Sequence, residues 1–177
     1  MLTDFAKNLF GGHRAERPQL PYSAALTCRR AELTARIAAI PWGEYLTAYG
    51  PATNVPPLLE QLLFGTEQSA DEAVGHLLCA LCHQDVEVDS AALPCFPFLV
   101  LAFEHAGEDL ALFLLDLIHR LVTCEGGASD PDRDAWLPLL RKSFAAAVST
   151  FESYAGHPNF QVRKYAGDIV REINALK

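Results

Sequence analysis

Between Ile37 and His119 the chain contains no lysine and no arginine, yet this 83-residue stretch holds twelve Asp and Glu. The flanks differ: residues 1–36 carry a net charge of about +3 and residues 120–177 about +1, which leaves the whole chain at −8. A surface without cations repels phosphate backbones, so nucleic-acid binding through the middle of the chain is excluded as a primary expectation. β-branched and aromatic runs are scarce beside Leu and Ala, which disfavours a sheet. No continuous apolar stretch opens the chain, where Asp4 and Lys7 fall within the first ten residues, so no export signal is expected. The most apolar run, Leu110 to Val122, is interrupted by Asp116, His119 and Arg120 and is short for a membrane span. Cysteines number five, an odd count with no scaffold spacing, as suits reduced thiols in a cytoplasmic protein.

What is present is helical punctuation. Half of the 177 residues are hydrophobic, enough for one domain with one core. A short helix is expected after Thr3, ending at Gly11-Gly12, with residues 13–22 as a connector and 23–177 as the helical body. Leu26, Leu33, Ile37 and Ile40 recur at helical spacing over 24–39. Pro41 suits the first turn of a short helix through Tyr49, ended by Gly50-Pro51. Asn54 is placed to cap a helix from Val55 to Phe64, with Pro56 and Pro57 in its first turn and Gly65 closing it. Ser69 to Glu72 is a capping-box pattern that opens a helix to about Cys82. The next helix follows Asp89-Ser90, and its Pro94 and Pro97 imply a kink or a late start near Cys95. The segment Glu108–Thr123 is apolar nearly all round and reads as the central member of a stack. After a loop from Glu125 to Asp134, a long helix is expected from Asp134 to Tyr154. A last one follows the turn at Gly156–Asn159 and spans Phe160 to Leu176. Short connectors pack such helices antiparallel with their sequence neighbours.

Two segments carry a family resemblance. The run His157-Pro158-Asn159-Phe160-Gln161-Val162-Arg163-Lys164-Tyr165-Ala166 resembles the inter-helix turn of a HEAT repeat. The resemblance implies that Asn159 caps the second helix, Val162 points inward, Arg163 reaches an acidic neighbour and Ala166 permits close helix contact. Residues 42–63 resemble the start of a group of bacterial HEAT-like proteins, with Tyr49-Gly50-Pro51-Ala52, Asn54-Val55-Pro56 and a Leu-rich helix. His83-Gln84, Ala91-Ala92 and Pro97-Phe98-Leu99 follow in the group's order, although Asp85 stands where the group has Gly. This likeness implies an all-α fold of antiparallel helix pairs stacked as a short α-solenoid, and a non-catalytic role. Some members of the group look like immunity proteins that neutralise a toxin.

Several constellations could carry chemistry. Cys79-Ala80-Leu81-Cys82-His83 matches the pattern for covalent haem attachment, but that modification needs export. A thioredoxin-like use of Cys79 and Cys82 wants a helix N-terminus, whereas these fall at a helix end. His76, Cys79 and His83, at i, i+3 and i+7, are the candidate metal ligands, with Cys95 available as a fourth; a packed helix whose histidines bridge core and surface is the favoured explanation, and neither metal nor cofactor is expected. Asp85, Glu87 and Asp89 alternate along a loop and read as solvated acids. No phosphate loop, nucleophile elbow or zincin pattern occurs.

The expectation is therefore an acidic helical protein that binds a basic protein partner, or acidity that serves solubility alone. Contacts are expected from Glu60, Glu67, Asp71, Glu72, Asp85, Glu87 and Asp89, with Trp42, Tyr45 and Tyr49 as anchors. The alternatives are a HEAT-like DNA glycosylase, which would need a basic groove found only in residues 120–177 if anywhere, and a small metal-binding protein.

Overall fold

The computed structural model describes residues 21–83, 87–126 and 130–176, so the helix expected after Thr3 lies outside the described residues. The fold is all-α. Ser23 starts helix α1 (Ala24–Cys28), its hydroxyl accepting from Leu26 N at 3.3 Å. Arg29, at φ −100° and ψ 9°, separates α1 from α2 (Arg30–Ala38), so the single helix expected over 24–39 is broken in two. Leu26, Leu33 and Ile37 are buried as the periodicity predicts.

The short helix expected from Pro41 to Tyr49 does not form. A 3-10 turn at Trp42–Glu44 leads into a two-residue hairpin, β1 (Leu46–Thr47) against β2 (Gly50–Pro51). The cause is local. The Thr47 hydroxyl donates to Gly50 O and accepts from Tyr49 N, offering the backbone an alternative to helical bonds. Gly50 takes φ 108°, a left-handed conformation open to glycine. Ala48 N then donates to Ala80 O, fixing the hairpin to the body.

A 3-10 turn at Ala52–Asn54 feeds α3 (Val55–Phe64). Asn54 sits at the expected cap position but its side chain makes no capping bond, because the preceding turn has already wound its backbone into helical angles. Gly65 closes α3, and here glycine is required: a Cβ would collide with the Ser69 hydroxyl and the Gln61 carbonyl. That tight corner moves the next cap forward. Thr66, not Ser69, caps α4 (Glu67–Leu81), accepting from Ser69 N at 3.2 Å.

Three short strands close the far end of α4: β3 (Cys82–His83), β4 (Glu87–Val88) and, after the next two helices, β5 (Glu125–Gly126). β4 lies between the others, antiparallel to β3 and parallel to β5. Helix α5 (Ala92–His105) starts earlier than Cys95; Pro94 falls in its first turn and Pro97 inside it. Helix α6 (Glu108–Thr123) has the expected bounds and buries Leu110, Ala111, Leu114, Leu115, Leu117, Ile118, Leu121 and Val122. The long helix expected from Asp134 to Tyr154 is interrupted at Ala147, giving α7 (Arg133–Ala146), α8 (Val148–Glu152) and a 3-10 turn at Ser153–Gly156. Helix α9 (Phe160–Ala175) follows.

The helices form two layers. In one, α4, α6 and α9 lie side by side and run in the same direction. Glu67 at the start of α4 approaches Gly107 before α6, and Asn159 before α9 donates to Glu108 at the start of α6. Further along, His119 of α6 meets Tyr165 of α9 edge to face. The other layer holds α3, α5, α7 and α8, joined by aromatic contacts from Phe96 to Phe144 at 4.8 Å and from Phe103 to Phe151 at 5.8 Å. Each member of this second layer packs on a partner in the first: α3 on α4, α5 on α6, and both α7 and α8 on α9.

At the last turn Asn159 accepts from Gln161 N and Val162 N, and Val162 and Ala166 are fully buried, as the HEAT-like pattern implies. Arg163 departs from it. Rather than reaching an acid, its guanidinium donates to the His157 and Pro158 carbonyls and lies over the Phe160 ring, so it fastens the turn to its own helix. No described helix is long and apolar enough to cross a membrane.

Candidate functional site

An open groove of about 430 Å³ lies where the β1 hairpin, the start of α5 and the start of α7 meet. Its position follows from a few backbone bonds. Leu46 N donates to the Ser90 hydroxyl at 2.8 Å, and Ala91 N donates to Leu46 O at 2.9 Å, which hangs the hairpin on the residues leading into α5. Across the groove Asp130 organises the entry to α7. One carboxylate oxygen accepts from Asp132 N at 2.9 Å and the other from Trp136 Nε1 at 2.7 Å. This turn aims one face of α7, Asp132, Ala135, Trp136 and Leu139, at the hairpin.

The groove combines apolar and acidic surface. Tyr45, Leu46, Leu93, Trp136 and Leu139 give its apolar contact area, and Glu44, Asp130 and Asp132 stand among them. Leu46 is 37% exposed and Leu139 53%, so two large aliphatic side chains of the groove lining are open to water. No described lining residue is a lysine or an arginine. Such a surface can take an extended or helical segment that brings both cations and apolar side chains.

The residues singled out from sequence are dispersed. Trp42, only 6% exposed, is a core residue whose indole donates to Ile37 O at 2.8 Å. Its ring still supports Tyr45 from beneath, with centroids 6.5 Å apart. Tyr45 lines the groove, whereas Tyr49 stands 69% exposed on the hairpin turn. The three do not share a helix face, because the helix on which that spacing depended is absent. Glu60 is half-buried on α3; Glu67 and Glu72 are exposed on α4, and Asp71 is half-buried between them. Glu72 lines a second hollow of about 460 Å³ at the start of α4, together with Pro21, Phe64 and Gln68. Glu87 and Asp89 are half-buried at β4, and Asp85 lies outside the described residues.

The metal candidates are also separated. His76 and Cys79 are exposed on α4, but the helix ends at Leu81, so His83 belongs to β3 rather than to the same helical face. Cys95 is fully buried in α5, and burial pushes its thiol far above the ordinary cysteine range, away from the thiolate that binds metal. Among the described residues no three His, Cys, Asp or Glu side chains form a group able to hold a metal ion.

Sequence reasoning missed Glu44, Leu46, Asp130, Asp132, Trp136 and Leu139. The signal was partly available: Asp132, Trp136 and Leu139 fall at i, i+4 and i+7, an acidic-to-apolar strip at a helix start. What sequence could not supply is the hairpin that faces this strip. No protein-family model matches the chain, and neither a curated protein nor a solved structure matches it.

Proposed function

We propose that this protein is a non-catalytic binding module for a basic, amphipathic segment of another protein, which it neutralises by occlusion. An immunity protein against a basic toxin or effector is the specific form of this reading. The single observation that supports it is the groove between the β1 hairpin and α7, where Glu44, Asp130 and Asp132 stand beside exposed Leu46 and Leu139. The apolar pair supplies contact area and the acids select the charge of the occupant. The cation-free stretch from Ile37 to His119 extends the same preference over much of the surface and speeds encounter with a basic partner.

The test is a pull-down from native cells at low and moderate salt, with wild type beside Leu139→Ser and the double variant Glu44→Gln/Asp132→Asn. The expected result is one stoichiometric basic protein, released as salt rises and held about tenfold more weakly by either variant. A partner retained equally by both variants would move the site away from the groove. Absence of any basic partner, in cells that express the neighbouring genes, would sink the reading itself.

A further inference from the structure

Cys82 and Cys124 occupy equivalent places in the fold. Each is the residue that caps the C-terminus of its helix, α4 and α6, and each has left helical geometry for an extended backbone. Cys82 N donates to Leu78 O and Cys124 N to Arg120 O, so both main chains are fixed. The strand that begins at Cys82 and the one that follows Cys124 are both paired to β4, with Cys82 opposite Val88 and Glu87 opposite Glu125. Because α4 and α6 run in the same direction, their ends arrive together, and the two sulfurs meet at 2.9 Å across 42 residues of sequence.

We infer that Cys82 and Cys124 are a modification site: a thiol pair converted to an internal disulfide by exchange with a low-molecular-weight disulfide. The half-buried Cys124 reacts first. Its thiolate attacks one sulfur of the reagent, forming a mixed disulfide and expelling one thiolate. The Cys82 sulfur then attacks the Cys124 sulfur, forms the internal bond and expels the second thiolate. The two protons lost by the cysteines are taken up by the two thiolates released, so the reagent disulfide is reduced to two thiols as the protein is oxidised. The neighbouring Cys79 is exposed on the last turn of α4, and Cys28 is exposed on α1; neither is placed against a second sulfur among the described residues. This inference does not depend on the binding function proposed above.

The bond would staple the ends of two core helices and close a long loop. Cross-links of that kind stabilise chiefly by restricting the unfolded chain, so the melting temperature should rise by about 5–10 °C on oxidation. The experiment treats the reduced full chain with oxidised glutathione and reads intact mass, a disulfide peptide map and the melting temperature. The expected result is the loss of two hydrogens, a peptide linking Cys82 to Cys124, the upward shift in melting, and reversal of all three by a dithiol. Cys124→Ser should lose every one of these responses. The double variant Cys28→Ser/Cys79→Ser alters only exposed side chains, and it should retain them all. A map that links Cys79 to Cys82, or a wild-type chain that carries glutathione without forming an internal bond, would overturn the assignment.

Discussion

Helices α6 and α9 are each 16 residues long and lie in the same layer, yet they are held in different ways. Helix α6 has neighbours on three sides, α4, α5 and α9, and buries eight side chains, of which seven are Leu, Ile or Val. Helix α9 is an edge. It buries Val162, Ala166, Ile169 and Ile173 on one seam and carries its polar groups outside, where Asp168 bonds both Lys164 and Arg171 at 2.8 Å. The centre is therefore maintained by packing that cannot relax, whereas the edge depends on a seam, a cap and surface ion pairs. Position in the stack, more than helix length or propensity, decides how much a given side chain contributes.

Truncation is the severest way to break this comparison. Leu114→Ala, at a fully buried site of α6, should cost about 3–5 kcal/mol in urea unfolding, because surrounding helices hold the cavity open. Ile173→Ala in α9 should cost less, about 2–3 kcal/mol, since an edge helix can shift inward to fill part of the space. Equal losses at the two sites would end the distinction between centre and edge. The cap comes next. Asn159→Ala removes the side chain that accepts from Gln161 N and Val162 N, and should lower stability by roughly 1 kcal/mol, seen as faster amide exchange in the first turn of α9.

The surface ions give the smallest effect, and pH reads it. The Lys164 ammonium, and beside it the Arg171 guanidinium, hold the Asp168 carboxyl below its ordinary value. A carboxylate whose folded value is depressed lends stability above its unfolded pKa and loses it as pH falls through the folded one. Acid titration below the usual aspartate range should thus loosen α9 slightly, within about 0.5 kcal/mol because these side chains are solvent-screened. Lys164→Ala with Arg171→Ala should remove that pH dependence. A carboxyl resonance of Asp168 that titrates at its ordinary value in the wild type would show that the pairs contribute nothing.

The same contrast governs what can be read from the residues alone. The ends of α6 are legible because a dense apolar run makes its own case, and the buried positions Leu26, Leu33 and Ile37 of α1 and α2 follow from periodicity. The segment from Pro41 to Asn54 is not legible in this way. There Trp42, Tyr45 and Tyr49 keep helical spacing, but the Thr47 hydroxyl and Gly50 satisfy the backbone as a hairpin, and one-dimensional periodicity does not weigh that competition. Prolines mislead in the opposite sense. Pro94 and Pro97 suggest a kink or a late start, yet α5 begins at Ala92 and carries Pro97 inside it. The groove inherits this difficulty. Its α7 wall is written in a helical pattern, but its other wall is the hairpin, and the two come together only through bonds made by Ser90 and Ala91.

The common direction of α4, α6 and α9 also has an electrical consequence. Each helix carries roughly half an elementary charge of positive sign at its start and of negative sign at its end. The partner helices of the other layer run the opposite way and offset much of the summed moment, so what remains is local to the helix ends. The negative pole for α4 and α6 falls where their chains leave at Cys82 and Cys124, beside Glu87 and Asp89. The carbonyl ends of two helices and these two carboxylates thus share one small region, which disfavours an anion and favours a cation in direct contact with it.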